Sequence, residues 1–190
     1  MGKGSIGDVW LVRHGETEWS RSGRYTSVSD IALTESGEAE ARDLRERLAA
    51  VSFELVLTSP RIRARYTAEL AGFPDAEVTE DLAEWDYGEL EGLTTDVIQE
   101  RTLGWSIWSH GGPGGESVAA IEARMDRLVD RLRAVEGLVL CFGHGHALRV
   151  LAVRWLGQPV DMGGSLALDT ASVSVLGRER ERAAILHWNG

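Results

Sequence analysis

The chain has 190 residues, 43% of them hydrophobic, enough for one ordinary domain to bury a core without disulfides or metals. Its 20 basic and 30 acidic side chains leave a formal charge of -10, a surface that repels nucleic acid and anionic lipid, so an anionic ligand must find a local basic pocket. The single cysteine, Cys141, lies in the apolar run Leu138 to Phe142, which excludes an intramolecular disulfide and reads as a buried thiol in a reducing compartment.

Met1 to Asp8 lack the apolar stretch of a secretory signal, and no later segment is long and apolar enough to cross a bilayer, so a cytoplasmic protein is expected. Myristoylation on Gly2 would want Ser or Thr where Ile6 stands, and is set aside. Gly2 to Gly7 formally matches G-x-G-x-x-G but precedes the first strand instead of joining a strand to a helix. Residues 1–7 are therefore read as a flexible leader to a single domain spanning 1–190.

In chain order, Val9 to Val12 predicts a buried strand that ends at Arg13-His14-Gly15. Glu35 to about Ala50 predicts a helix. Phe53 to Leu57 repeats the strand and ends at Thr58-Ser59-Pro60, where Ser59 is placed to cap and Pro60 to open a helix through about Ala71. Asp86 to Glu116 has weak periodicity and reads as a specificity loop or a crossover, with Gly111 to Gly115 as a surface loop. Ser117 to Val135 is an amphipathic helix carrying Val118, Ile121, Met125, Leu128, Val129 and Leu132 on one face. Leu138 to Phe142 is a third strand, broken at Gly143-His144-Gly145 before a helix from His146 to Leu156. Ala171 to Leu176 and Ala183 to Trp188 read as a closing hairpin around the charged Arg178 to Arg182. Alternating strands and helices predict an α/β fold: a three-layer α/β/α arrangement with a mostly parallel sheet, an antiparallel edge strand or hairpin, and ligands at the carboxyl ends of the strands.

Three strand-to-helix turns thus carry His or Arg. In Leu11-Val12-Arg13-His14-Gly15-Glu16-Thr17, a guanidinium suits phosphoryl oxygens and a neutral imidazole can attack phosphorus. Thr58 to Ala64 adds Arg63 in the first helical turn, near Arg61 and Arg65. Gly143-His144-Gly145-His146 adds a donor where free backbone N–H groups also favour anions. Glu84, within Leu82-Ala83-Glu84-Trp85-Asp86-Tyr87-Gly88, is preferred to Asp86 as the acid for a leaving oxygen, beside aromatics able to desolvate it.

Taken in this order, Val12 to Ser20, Thr58 to Arg65, Glu84 to Gly88 and Gly143 to Arg149 resemble the histidine phosphatase, or phosphoglycerate mutase-like, superfamily over nearly the whole chain. They look most like its sedoheptulose-bisphosphatase and actinobacterial acid phosphatase branch. The resemblance implies a phosphomonoesterase with His14 as nucleophile, Arg13, Arg63 and His144 around the phosphoryl oxygens, and Glu84 as proton donor and activator of water. It puts Ser20, Arg24, Tyr25, Thr26, Trp85, Tyr87, Gly145 and His146 around the substrate, a small phosphate ester such as a sugar phosphate or bisphosphate. No cofactor or metal, nucleic acid or membrane is implied, and a homodimer is left open. Many relatives carry Asn at Ser20 and Gly at Ser27; the bisphosphatase branch resembles this chain at Ser20.

A metal site from His14, His144, His146, Glu84 and Asp86 is disfavoured because two arginines at the same place repel a cation. Of seven tryptophans, Trp10 and Trp155 read as core, while Trp19, Trp85, Trp105 and Trp108 are equally open to cleft lining and to simple packing. A mutase would use the same phosphohistidine but needs a sheltered site, and no long insertion is evident to close one. A silent phosphate-binding module is a third reading, disfavoured because every needed side chain is present.

Overall fold

The computed structural model describes residues 7–190, so most of the expected leader and of its glycine pattern falls outside the described residues. Six strands form one sheet: β1 (Val9–Arg13), β2 (Leu55–Thr58), β3 (Glu77–Val78), β4 (Val139–Gly143), β5 (Val173–Glu179) and β6 (Arg182–His187). The order is β3-β2-β4-β1-β5-β6; the first four run parallel, and β5 and β6 add the antiparallel edge. The helices are α1 (Glu18–Arg21), α2 (Glu35–Leu48), α3 (Ile62–Leu70), α4 (Thr95–Arg101), α5 (Ile107–His110), α6 (Val118–Arg133) and α7 (Gly145–Trp155). No described helix is long and apolar enough to cross a membrane.

The central strands show why the domain has three layers. Along β1, Val9 and Leu11 enter one core and Val12 the other; along β4, Val139 and Cys141 join the first and Leu140 and Phe142 the second. Successive side chains leave a strand on opposite faces, so a sheet apolar on both faces must be covered on both. Leu44 and Leu48 of α2 and Ala68 of α3 cover one face. Ile121, Met125, Leu128 and Leu132 of α6, with Leu148, Leu151 and Trp155 of α7, cover the other.

Local signals start the long helices. The Thr34 side chain accepts from Gly37 N–H at the start of α2, and Ser117 accepts from Ala120 N–H at the start of α6. Ser59, however, does not cap α3, whose N-cap is Arg61 with no side-chain bond, and Pro60 precedes that cap. The closing strands run further into the charged segment than predicted, leaving a turn at Arg180-Glu181 where Arg180 has φ 54°. Gly111 to Gly115 is also more than a surface loop. A Cβ on Gly112 would lie 2.3 Å from the Asp86 carbonyl oxygen and one on Gly115 2.5 Å from it, so the loop clamps the backbone just after Glu84.

The chain passes from β1 to β2 and leaves a place between them that β4 later fills. Three carboxyl ends therefore meet at one point, where the His14 N–H donates to Gly143 O (3.0 Å) and the Ser59 N–H to Phe142 O (3.0 Å). The turn after His14 is pressed onto α2. A Cβ on Gly15 would lie 2.3 Å from Gly37 O, and one on Gly37 2.1 Å from Glu16 O. Gly37→Ala is expected to lower stability in equilibrium urea unfolding by about 1–3 kcal/mol; an unchanged midpoint would show that this contact yields freely.

Candidate active site

His14 is 5% exposed, and its Nδ1 lies 2.8 Å from Gly15 O. A ring nitrogen facing a carbonyl must carry the proton, so Nε2 keeps its lone pair. The His144 ring stands 5.1 Å away, centroid to centroid. Its Nε2 is 2.7 Å from Ser59 Oγ, a hydroxyl that accepts the Arg61 N–H and is free to donate its own hydrogen to His144. The remaining proton of neutral His144 then sits on Nδ1. Burial, then the charges of neighbouring arginines with Arg63 foremost, hold both imidazoles well below the usual histidine range.

The two guanidiniums are anchored by part of their donor sets. Arg13 Nη1 donates to Leu168 O (2.6 Å), and its Nε lies at van der Waals distance, 3.6 Å, from where a side chain on Gly145 would begin. Arg63 is 0% exposed and donates from Nη1 to Ser29 O (2.9 Å) and from Nη2 to Thr26 O (3.0 Å) and Ser27 O (3.3 Å). From the other side, the Glu91 carboxylate accepts the backbone N–H groups of Ser27 and Ser29. Burial works to raise the Glu91 pKa, but hydrogen bonds from Ser27 and Ser29 outweigh it and the net shift is downward. Ser27 is committed to Glu91 and to the Tyr87 N–H (3.2 Å).

Among the described residues, Arg13 Nε, Arg63 Nε and His144 Nδ1 are buried donors without a partner, as is Arg61 Nε farther out. Buried donors in native proteins are rarely left unpaired, and a tetrahedral oxyanion supplies the acceptors these lack. Glu84 faces them at the amino end of α7, where Oε1 accepts from Trp85 N–H (2.8 Å) and Ala147 N–H (2.8 Å) and Oε2 from His146 N–H (3.1 Å). Among the described residues, no group of three or more His, Cys, Asp or Glu is arranged to hold a metal ion.

These groups surround a cavity of about 330 Å³ lined by Arg13, His14 and Glu84, with His144 and Arg63 buried beside His14. Ser20, Arg24, Tyr25, Thr26, Tyr87, Gly145 and His146 line the cavity. Tyr87 Oη lies 2.7 Å from His146 Nδ1, and burial first of all pushes the His146 pKa down to about 3, so the phenol donates to a neutral ring. Trp85 departs from the expectation. It is 0% exposed, packs in the main core, and donates Nε1–H to Glu116 O (2.8 Å), because a large indole with one donor is best satisfied inside. Trp105 is buried as well, while Trp108 leans on His146 with centroids 5.0 Å apart. Residue-by-residue reading missed Ser59 as the partner of His144, Glu91 as the loop anchor, and Gly23, Thr95, Arg149 and Leu168 in the wall. Ser59 and Arg149 already stood inside the motif segments; which neighbours they meet is set by the turns.

Residues 9–190 match the family model of the histidine phosphatase superfamily (branch 1). The chain belongs to that superfamily. It is 42% identical over 188 residues to an acid phosphatase of Mycobacterium tuberculosis, covering 95% of this chain and 92% of the relative. It is 35% identical over 183 residues to a sedoheptulose 1,7-bisphosphatase of Saccharomyces cerevisiae, covering 79% of this chain and 68% of the relative. A solved structure of an open reading frame product from Mycobacterium tuberculosis superimposes with a TM-score of 0.93 at 39% identity, over 96% of this chain and 97% of the other. Family and relatives together make the protein a phosphatase.

His14, His144 and His146 are all held below the usual histidine range, chiefly by burial. Their ring resonances in the unliganded protein are expected to stay flat in NMR between about pH 7.5 and 5.5, and a midpoint near 6.5 in any of them would contradict that environment. Unfolding frees each to take up a proton below that value. Stability should therefore fall as the pH drops below about 6.5, by about 1.4 kcal/mol per pH unit for each ring until its folded-state pKa is reached.

Proposed function

We propose that the protein, as one catalytic domain, hydrolyses small phosphate monoesters of the sugar phosphate or bisphosphate kind through a covalent phosphohistidine on His14. The observation that carries this is the pairing of a free, neutral His14 Nε2 with unpartnered buried donors on Arg13, Arg63 and His144. Relatives named acid phosphatase and sedoheptulose 1,7-bisphosphatase support the substrate class, as does a cavity near the small end of the usual range of roughly 300–1,000 Å³ for ligand sites.

In this mechanism Arg13, Arg63 and His144 bind the phosphoryl oxygens, and His14 Nε2 attacks phosphorus in line with the ester oxygen. As the phosphorus–oxygen bond breaks, Glu84 in its acid form gives its proton to the leaving alkoxide. Water then attacks the phosphohistidine and Glu84 takes its proton. The phosphorus–nitrogen bond breaks, phosphate departs, and His14 is again neutral. Glu84 Oε2 holds a single backbone contact at 3.1 Å, which leaves it the capacity to face the reacting oxygen.

Brief exposure to a radiolabelled phosphate ester should leave acid-labile, base-stable label on the wild type and none on His14→Ala, whose turnover should fall by many powers of ten. Absence of label from the wild type would refute the covalent route. Glu84→Gln should slow alkyl phosphates on the order of 10²–10⁴-fold and nitrophenyl phosphate, with its good leaving group, much less. Equal rates for both esters would remove Glu84 from the role of acid.

A further inference from the structure

We propose that Arg124 and Glu116, an ion pair outside the cavity, are the positioning residues of Glu84: they fix the backbone on both sides of it and so set where its carboxyl meets the leaving oxygen. The inference rests on the acid role given to Glu84 in the hydrolytic reading above, and it names the residues through which that role depends on α6.

Glu84 stands on a segment that does not hold its own shape. Between the short 3-10 turns at Glu80–Leu82 and Gly88–Leu90 the chain forms neither helix nor strand, so its carbonyls must be met by groups from elsewhere. Arg124 meets two of them, with Nη1 donating to Asp81 O (2.9 Å) and to Ala83 O (2.8 Å). Glu116 meets a third through its backbone, its N–H donating to Asp86 O (2.9 Å), while its own carbonyl accepts Trp85 Nε1–H (2.8 Å). The residues directly before and after Glu84 are thus held by the same two partners.

The partners are also locked to each other. Arg124 donates from Nε to Glu116 Oε1 (2.9 Å) and from Nη2 to Glu116 Oε2 (2.6 Å), which turns Nη1 toward the carbonyls. The two side chains are 11% and 15% exposed. A shielded ion pair adds little stability over apolar packing of the same volume. A planar guanidinium, in contrast, fixes a carboxylate and a carbonyl at a set angle to each other. Neither residue lines the cavity, so any effect on the reaction must pass through Glu84 and its neighbours.

The position is carried from the core. Ser117, the cap of α6, follows Glu116, and Arg124 lies about two turns further on, on a helix anchored by the buried Ile121, Met125 and Leu128. The Glu84 carboxylate meanwhile accepts from the His146 and Ala147 N–H groups of α7. The acid therefore has its backbone set by one helix and its oxygens by another, and the two must agree for it to face the ester. A shift of about 1 Å is enough to cost a reacting group about 10²-fold in rate.

The test compares kcat/KM for glycerol phosphate, a poor leaving group, with that for nitrophenyl phosphate, which needs little acid. The proteins are wild type, Arg124→Lys, Arg127→Ala, Glu84→Gln and the double variant Glu84→Gln/Arg124→Lys. Lysine keeps a charge opposite Glu116 but has no fork to hold the carboxylate and both carbonyls together. In Arg124→Lys the ratio of glycerol phosphate to nitrophenyl phosphate should fall about 10- to 100-fold. Arg127, on the same helix, pairs with the Asp81 side chain and is 63% exposed, so Arg127→Ala should keep the wild-type ratio. With Glu84→Gln already in place, Arg124→Lys should lower the ratio no further, because the acid it positions is gone.

An unchanged ratio in Arg124→Lys, an equal loss for both esters, or the same drop with and without Glu84 would overturn the assignment. If Arg124→Lys proves unstable, Arg124→Gln/Glu116→Gln, which removes both charges and leaves neither shielded alone, is judged by the same criteria. Failure of the parent reading looks different: Glu84→Gln by itself would then slow both esters equally or not at all.

Discussion

Everything in this site depends on positive charge and buried N–H donors that, among the described residues, form no ion pair. Two arginines flank a pair of imidazoles 5.1 Å apart, and burial together with that charge keeps both rings neutral. A neutral imidazole is a nucleophile, and an unpaired buried guanidinium favours any anion that fits. One electrostatic condition therefore does two things: it activates the attacking nitrogen and selects the group to be attacked. A protein of formal charge -10 can do this only locally, because its remaining surface repels the same ligand.

The fold meets the condition by topology and by a tethered loop. Strand β4 arriving between β1 and β2 puts His14, Ser59 and His144 at adjacent carboxyl ends, where backbone bonds between the strands hold their spacing. The segment from Thr26 to Ser29 lies between opposite charges, its carbonyls on Arg63 and its N–H groups on Glu91. The cation near the imidazoles thus also anchors the substrate loop, and a disturbance at either end reaches the other. Glu84 is fixed in a comparable way, by three backbone N–H groups and by a glycine loop clamped on the residues after it.

Much of this was legible before any coordinates. The apolar runs ending in Arg13-His14, Ser59 and Gly143-His144 identify strand ends because side chains buried on both faces leave no polar residues until the chain emerges. Burial and pairing were harder to read. Trp85 follows Glu84 directly, yet one lines the cavity and the other fills the core. Ser59 carries the usual chemistry of a helix cap, but it bonds a histidine 85 positions away. Gly111 to Gly115 has the composition of an exposed loop, and its lack of side chains instead permits close backbone packing.

The sequence by itself determined the layer order, the superfamily and the set of groups able to handle a phosphoryl group, since periodicity and side-chain chemistry are local properties carried by each segment. Only the tertiary structure decided which donors remain without partners, which serine orients which histidine, and that Arg124 and Glu116 hold the backbone around Glu84. Those facts are sums over neighbours from distant segments. Whether a polar atom is satisfied, and how far a charge is removed from water, depends on every group that packs around it.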